Sequence, residues 1–172
     1  MTSSQVLVRS DAARAENAPD QRGTASSDQW QEFIDLVHRA LKKLDDQFAL
    51  DEIPTLYRLP VVQQWIAASS QEFLVRGKAV QLYLRQAVEM VIAEYAESPA
   101  PHLQRIALFA RGHYLQGKTV VAVAKELGIS RSLGVHEADP RSLRAIARAF
   151  HWLTVTKAKS NTTEPRDPVT TS

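Results

Sequence analysis

GKTVVAVAKELGISRS, residues 117–132, carries the most specific spacing in the chain. Thr119 is placed to cap a helix, its hydroxyl free to accept a first-turn amide. Val120, Val123, Ala124 and Leu127 then recur at helical spacing and make one apolar face. Ala124 is small where two helices must cross closely. Gly128 follows Leu127 where the chain leaves the helix, and glycine adopts positive φ without steric cost. Ile129 is apolar and can plug the angle between two helices. Ser130 is placed to cap a second helix that begins with Arg131 and Ser132.

This order of capped short helix, inward Ala, Leu-Gly-Ile, Ser and Arg resembles the helix-turn-helix of bacterial regulators, transposases and the promoter-reading region of sigma factors (sigma region 4). The resemblance covers about residues 103–153. It implies a C-terminal helix-turn-helix whose second helix enters the DNA major groove by its N-terminal residues. By the resemblance, Arg131, Ser132 and His136 face base edges, with Ser130 at the helix start. Lys118, Thr119, Arg141, Arg144 and Arg148 contact phosphates, which set register and affinity while base contacts set sequence.

Two positions depart from the pattern. Where the second helix should carry inward apolar residues stand Gly134 and Glu137. Treating Leu133 and Gly134 as an insertion turns Val135, Ala138 and Leu143 inward instead. Pro140 would then lie inside the helix, where it removes a hydrogen bond and clashes with the preceding turn. The expected outcome is a second helix that is short, about 131–137, or broken. Asp139-Pro140 reads as the N-cap and first position of a further helix.

Upstream of the motif, residues 103–116 read as a supporting helix with Leu103, Ile106, Ala107, Ala110 and Tyr114 inward. Downstream, Leu143, Ile146, Ala147, Phe150 and Leu153 give the last helix a core face, with Arg141, Arg144 and Arg148 on another. Near the N-terminus, Trp30, Phe33, Ile34, Val37, Leu41 and Leu44 form an amphipathic stripe, with Ser27 as the expected cap. The acidic residues 45–52 and Pro54 and Pro60 predict loops and short helices. Pro60 opens a helix with Val61, Trp65 and Ile66 inward. After a break at about 69–77 comes a regular helix, 78–96, with Val80, Leu84, Ala87, Val88, Val91, Ile92 and Tyr95 on its stripe. No stretch sustains the two-residue alternation of a strand.

The fold expected is therefore all-α, a compact helical domain with a C-terminal helix-turn-helix and disordered N- and C-terminal tails. Residues 1–27 read as one tail and 158–172 as the other. Residues 28–98 form a helical region for packing, dimerisation or partner binding, and 99–157 the DNA-binding region. Of the 172 residues, 44% are hydrophobic, enough for a core. There is no cysteine, which removes disulfides and thiolate metal sites and is compatible with the cytoplasm. No apolar run approaches the ~20 residues that cross a membrane, and the first residues lack the apolar centre of a secretory signal.

The net charge of +2 hides an asymmetry. Residues 100–159 hold ten lysines and arginines against three acids, a charge of +7, leaving −5 for the rest. Such a split points to a nucleic-acid face on the basic part. The partner expected is double-stranded DNA, with a homodimer or protein contact through the N-terminal helices and no membrane.

A competing motif overlaps the first. GHYLQGKT, residues 112–119, matches the phosphate-loop pattern G-x-x-x-x-G-K-T. A nucleotide-binding α/β domain needs several further strands after the loop, and none is legible beyond Thr119. His113, Tyr114 and Leu115 are also bulky for a loop that wraps phosphates. The simpler reading ends the supporting helix at Gly117. The five histidines show no two-His metal spacing, and no nucleophile elbow is present. Neither a catalytic site, a metal site nor a cofactor is expected. A helical protein-interaction module whose helix-turn-helix has lost DNA binding is the alternative, and the DNA-binding part of a transposase or recombinase a third reading.

Overall fold

The computed structural model describes residues 21–69 and 75–160, which are all helices and connecting turns with no strand among them. In order these are α1 (Gln21–Leu41), α2 (Gln47–Asp51), α3 (Pro54–Tyr57), α4 (Pro60–Ala68), α5 (Val75–Tyr95), α6 (Pro101–Ala110), α7 (Val120–Glu126), α8 (Arg131–Leu133) and α9 (Asp139–Ser160). A π-helical turn, Arg111–Leu115, extends α6, and a second, Gly134–Ala138, joins α8 to α9. The expected tails, apart from 21–27 and 158–160, lie outside the described residues.

The chain divides into two units, Met1–Glu32 and Phe33–Ser172. In the first, the described residues are the opening turns of α1. Ser27, expected as a cap, lies inside this helix rather than before it. In the second, Ile34, Val37, Leu41 and Leu44 are buried as their spacing requires. Pro54, Pro60 and Pro101 each stand at a first helical position, where the missing N–H has no partner to lose.

The core of the second unit forms where α5 lies along α9, with α4 and α6 against both helices and α2 against α5. Val80, Leu84, Ala87, Val88 and Val91 of α5 meet a buried set that includes Ile146, Ala147, Phe150 and Leu153 of α9. Phe33 stacks on Phe150 at 6.2 Å between ring centroids. Each such fully buried aliphatic or aromatic side chain contributes roughly 1.5–3 kcal/mol. The helix expected from Lys78 begins earlier, at Val75. Position 77 lies within it and is a glycine because a Cβ there would stand 1.8 Å from the Gln47 carbonyl oxygen. The glycine that reads as a break is thus the crossing point of α5 and α2.

Candidate nucleic-acid interface

The 117–132 stretch forms its local structure by the expected devices. Thr119 has extended backbone and its side chain accepts from the Ala122 amide at 3.2 Å. Ser130 does the same for the Leu133 amide at 3.1 Å. Gly117 and Gly128 both have φ of +65°, so each ends a helix in the left-handed region that favours glycine. The Ile129 amide reaches back to the Ala124 carbonyl at 3.0 Å, closing the end of α7. Phe109, Val123 and Ala138 form a buried cluster, and Val120, Leu127 and Ile129 pack against it. Three short segments therefore share one small core: the end of α6, α7, and the helix that follows the turn.

Two glycines let these segments approach. A Cβ on Gly112 would come within 2.9 Å of Val123 Cγ2, and one on Gly134 within 2.9 Å of Ala124 Cβ. Both glycines are buried and both lie in π turns. The inner face of α7 is thus held between two glycines, one on each neighbouring segment. Gly134, which departs from the expected apolar residue, is the contact surface itself and not part of an insertion. Accordingly Val135, expected inward, is 39% exposed, while Ala138 and Leu143 are buried.

Asp139 is not an N-cap. Its φ and ψ of −65° and −52° are helical, and its amide donates to the Gly134 carbonyl. Residues 131–160 therefore run as one helix interrupted only by the π turn, neither short nor broken at Pro140. The wider turn answers the presence of Pro140, which has no N–H to donate and whose ring crowds the carbonyl four residues back. The Ser142 hydroxyl donates to the Ala138 carbonyl at 2.7 Å, satisfying an acceptor beside the disruption.

A polar tie joins the first π turn to the start of α9. The Tyr114 hydroxyl donates to Asp139 Oδ1 at 2.8 Å. Burial, with the Asp139 carboxylate added to it, raises the Tyr114 pKa well above the usual phenol range, so the hydroxyl stays a donor. One residue away, His113 Nδ1 lies 2.6 Å from the Lys118 carbonyl oxygen. A carbonyl only accepts, so Nδ1 carries the hydrogen. His38 of α1 also belongs to this neighbourhood. Its pKa is lowered, first by burial and then by Lys42, with Asp139 acting in the opposite sense and His113 adding to the lowering. Composition and helical periodicity carry no signal for the tie between Tyr114 and Asp139, since it joins residues 25 apart in sequence.

The nine candidate residues are not equivalent. Arg131, Ser132 and His136 are exposed on the first turns after Ser130, itself exposed. Val135 shares their face, four residues after Arg131 and adjacent to His136, and is an exposed apolar side chain the pattern placed elsewhere. Arg141, Arg144 and Arg148 are exposed at helical spacing along α9. Arg105 of α6 lies beside Arg141 around a small recess that Glu137 and Leu133 also line. Arg141 pairs with Glu137 at 3.6 Å. Among the described residues, Arg131, Arg144 and Arg148 have no acidic partner within 4 Å. Lys118 differs from all of these. Its Nζ is held by both oxygens of Glu126, at 2.9 and 2.8 Å. Its charge is already matched at the surface, and Thr119 spends its oxygen on the cap.

The GHYLQGKT segment does not make a phosphate cradle. It is helical through Leu115, Gly112 is buried, and the Lys118 amide donates to the Gly112 carbonyl at 3.0 Å. The Gln116 and Lys118 amides are thus turned into the chain. Among the described residues no group of three or more His, Cys, Asp or Glu is placed to hold a metal ion, and no helix is long and apolar enough to cross a membrane. Comparison with protein-family models, with curated proteins and with solved structures finds no match to this chain.

Proposed function

We propose that the chain is a non-catalytic DNA-binding protein, a transcriptional regulator of the cytoplasm, that reads the major groove through a helix-turn-helix made of α7, the 127–130 turn and the helix from Arg131. The observation that carries this reading is the Ala124–Gly134 contact. It seats the second helix on α7 by a small-residue crossing and leaves Arg131, Ser132, Val135 and His136 facing solvent together. Arginine in such a place is suited to guanine O6 and N7, and an apolar side chain to the thymine methyl. The exposed arginines of α9 supply phosphate contacts. The +7 charge of residues 100–159 supports the same partner.

The test is a titration of the purified protein with mixed-sequence duplex DNA at two salt concentrations, beside the Arg131→Ala/Arg144→Ala double variant. Affinity that falls steeply with salt and is mostly lost in the variant is the expected result. A chain that stays unbound at low salt removes the reading. The second reading, a helical protein-interaction module, draws on the neutralisation of Lys118 by Glu126 and of Arg141 by Glu137, which lowers the free positive charge near the turn.

A further inference from the structure

A cleft of about 420 Å³ lies beside the first π turn, between the residues that follow α1 and the Gly117 loop. Its size falls within the range of small-molecule sites. Leu41 and Leu44 supply its apolar wall, and Lys42, His113, Tyr114 and Gly117 border it. The acids on its rim are each engaged through one oxygen. Asp45 pairs with Arg85, and Asp46 Oδ1 accepts the amides of Phe48 and Ala49, both at 3.0 Å. Lys43, also on the rim, pairs with Glu52 at 3.6 Å. Among the described residues Lys42 has no acidic partner within 4 Å. The His113 ring uses Nδ1 on the Lys118 carbonyl, which leaves Nε2 as its second hydrogen-bonding atom. The polar groups the cleft offers a ligand are therefore the Lys42 ammonium and the Nε2 edge of His113, with the second oxygen of Asp46 on the rim, next to apolar surface.

We propose that this cleft binds a small organic oxyanion, a carboxylate or a phosphate monoester, through the Lys42 ammonium and, when the His113 ring is an imidazolium whose Nε2 also donates, through His113, with the ligand's apolar part against Leu41, Leu44 and the Tyr114 ring. Lys42 and His113 both act on His38 in the sense that a converging positive charge acts, although burial is the larger cause of the lowering there. Asp139 and Asp35 act there in the opposite sense, and Asp139 accepts from the Tyr114 hydroxyl.

The place of the cleft gives the ligand a regulatory consequence, which rests on the DNA-binding reading. His113 holds the carbonyl of the residue just before the Thr119 cap, and Tyr114 holds Asp139 where the second helix leaves its π turn. An occupant touches both side chains that position α7 and the helix after it. Occupancy is expected to change DNA affinity to the extent that the ligand binds the free and the DNA-bound chain unequally.

The experiment is isothermal titration of the full chain with benzoate and, separately, phenyl phosphate, at ionic strength held constant with sodium chloride. The expected result is saturable binding of at least one probe. Its Kd rises about tenfold in Lys42→Ala, the loss of one charge-assisted hydrogen bond. It stays unchanged in Lys125→Ala, which removes an exposed lysine from α7. Which probe binds separates the two oxyanion sources. Because Lys42 is exposed, the variant keeps the fold, and its circular dichroism melt checks this. No saturable binding of either probe, or a Kd indifferent to Lys42→Ala, overturns the site. In a duplex titration with and without the bound probe, an unchanged DNA affinity overturns the regulatory half alone. Probe binding in a chain that binds no DNA leaves the site standing and removes the DNA-binding reading.

Discussion

Gly134 meets Ala124 so closely that a methyl on the glycine would lie 2.9 Å from the alanine Cβ. Alanine has no rotamer with which to move away, so the helices themselves must separate. Gly134→Ala raises helix propensity by roughly 1 kcal/mol yet overpacks by about 1–3 kcal/mol. The expected net effect is a loss of stability. Gly112→Ala meets both methyls of Val123, at 2.9 and 3.3 Å, on a buried β-branched side chain that is stiff in a helix, and is expected to cost at least as much. Chemical denaturation of both variants checks the order. The Gly134→Ala/Ala124→Gly double variant recovers part of the Gly134→Ala loss, and strict additivity would show that the crossing is not where the two residues couple.

Tyr114→Phe removes the hydroxyl and leaves Asp139 without that donor. A hydrogen bond to a carboxylate contributes about 1.5–3 kcal/mol when buried, and the half-buried Asp139 places the loss toward the lower end. Urea unfolding measures it. Asp139→Asn keeps an acceptor for the hydroxyl and is expected to cost less than Tyr114→Phe.

His38 carries the pH dependence. Its folded pKa lies below the ordinary 6.5, with burial the first cause and Lys42 the second. The unfolded chain then binds more protons than the native one as pH falls through 6.5, so stability declines from there down to the folded pKa and levels off below it. Thermal melts from pH 8 to pH 5 should show that decline, and His38→Gln should flatten it. A decline of the same size in the variant assigns it to other groups.

Lys118 and Arg148 are expected to differ in DNA binding, if the chain binds DNA as proposed. Arg148→Ala removes an exposed arginine without an acidic partner among the described residues and should lower the salt slope by about 0.9. Lys118→Ala should change the slope little, because Glu126 already neutralises that ammonium. Glu126→Gln releases it and should tighten DNA binding. Equal slopes for Lys118→Ala and Arg148→Ala would place Lys118 on the phosphates after all.

Val135 offers a test at the level of a single methyl group. In a selected duplex, replacing thymines with uracil removes only the C5 methyls. Affinity should fall on one or two such replacements for the native chain and not for Val135→Ser. Because Val135 is exposed, the substitution should leave the melting temperature nearly unchanged. A uracil effect of equal size in both proteins assigns methyl contact elsewhere.

The local devices of this chain are legible from residue types alone. Thr119 and Ser130 cap helices, Gly117 and Gly128 take positive φ, and the helix that Pro60 opens starts where it reads. The inward faces of the helices are also written in the periodicity, from Ile34 to Leu153. Each rests on the geometry of one helix turn, so a window of a few residues carries it. How the segments meet is settled in three dimensions. Gly134 looks like a gap in an apolar pattern until Ala124 is opposite it, and Gly77 looks like a break until the Gln47 carbonyl is beside it. Pro140 has no N–H to donate in a plain α-helix, and the π turn ahead of it ends at Asp139, which accepts from Tyr114, 25 residues earlier. That turn in turn leaves Val135 outside and Ala138 inside. Such outcomes follow from close packing between distant residues, where a single methyl sets the approach of two helices, and that distance is absent from any local pattern.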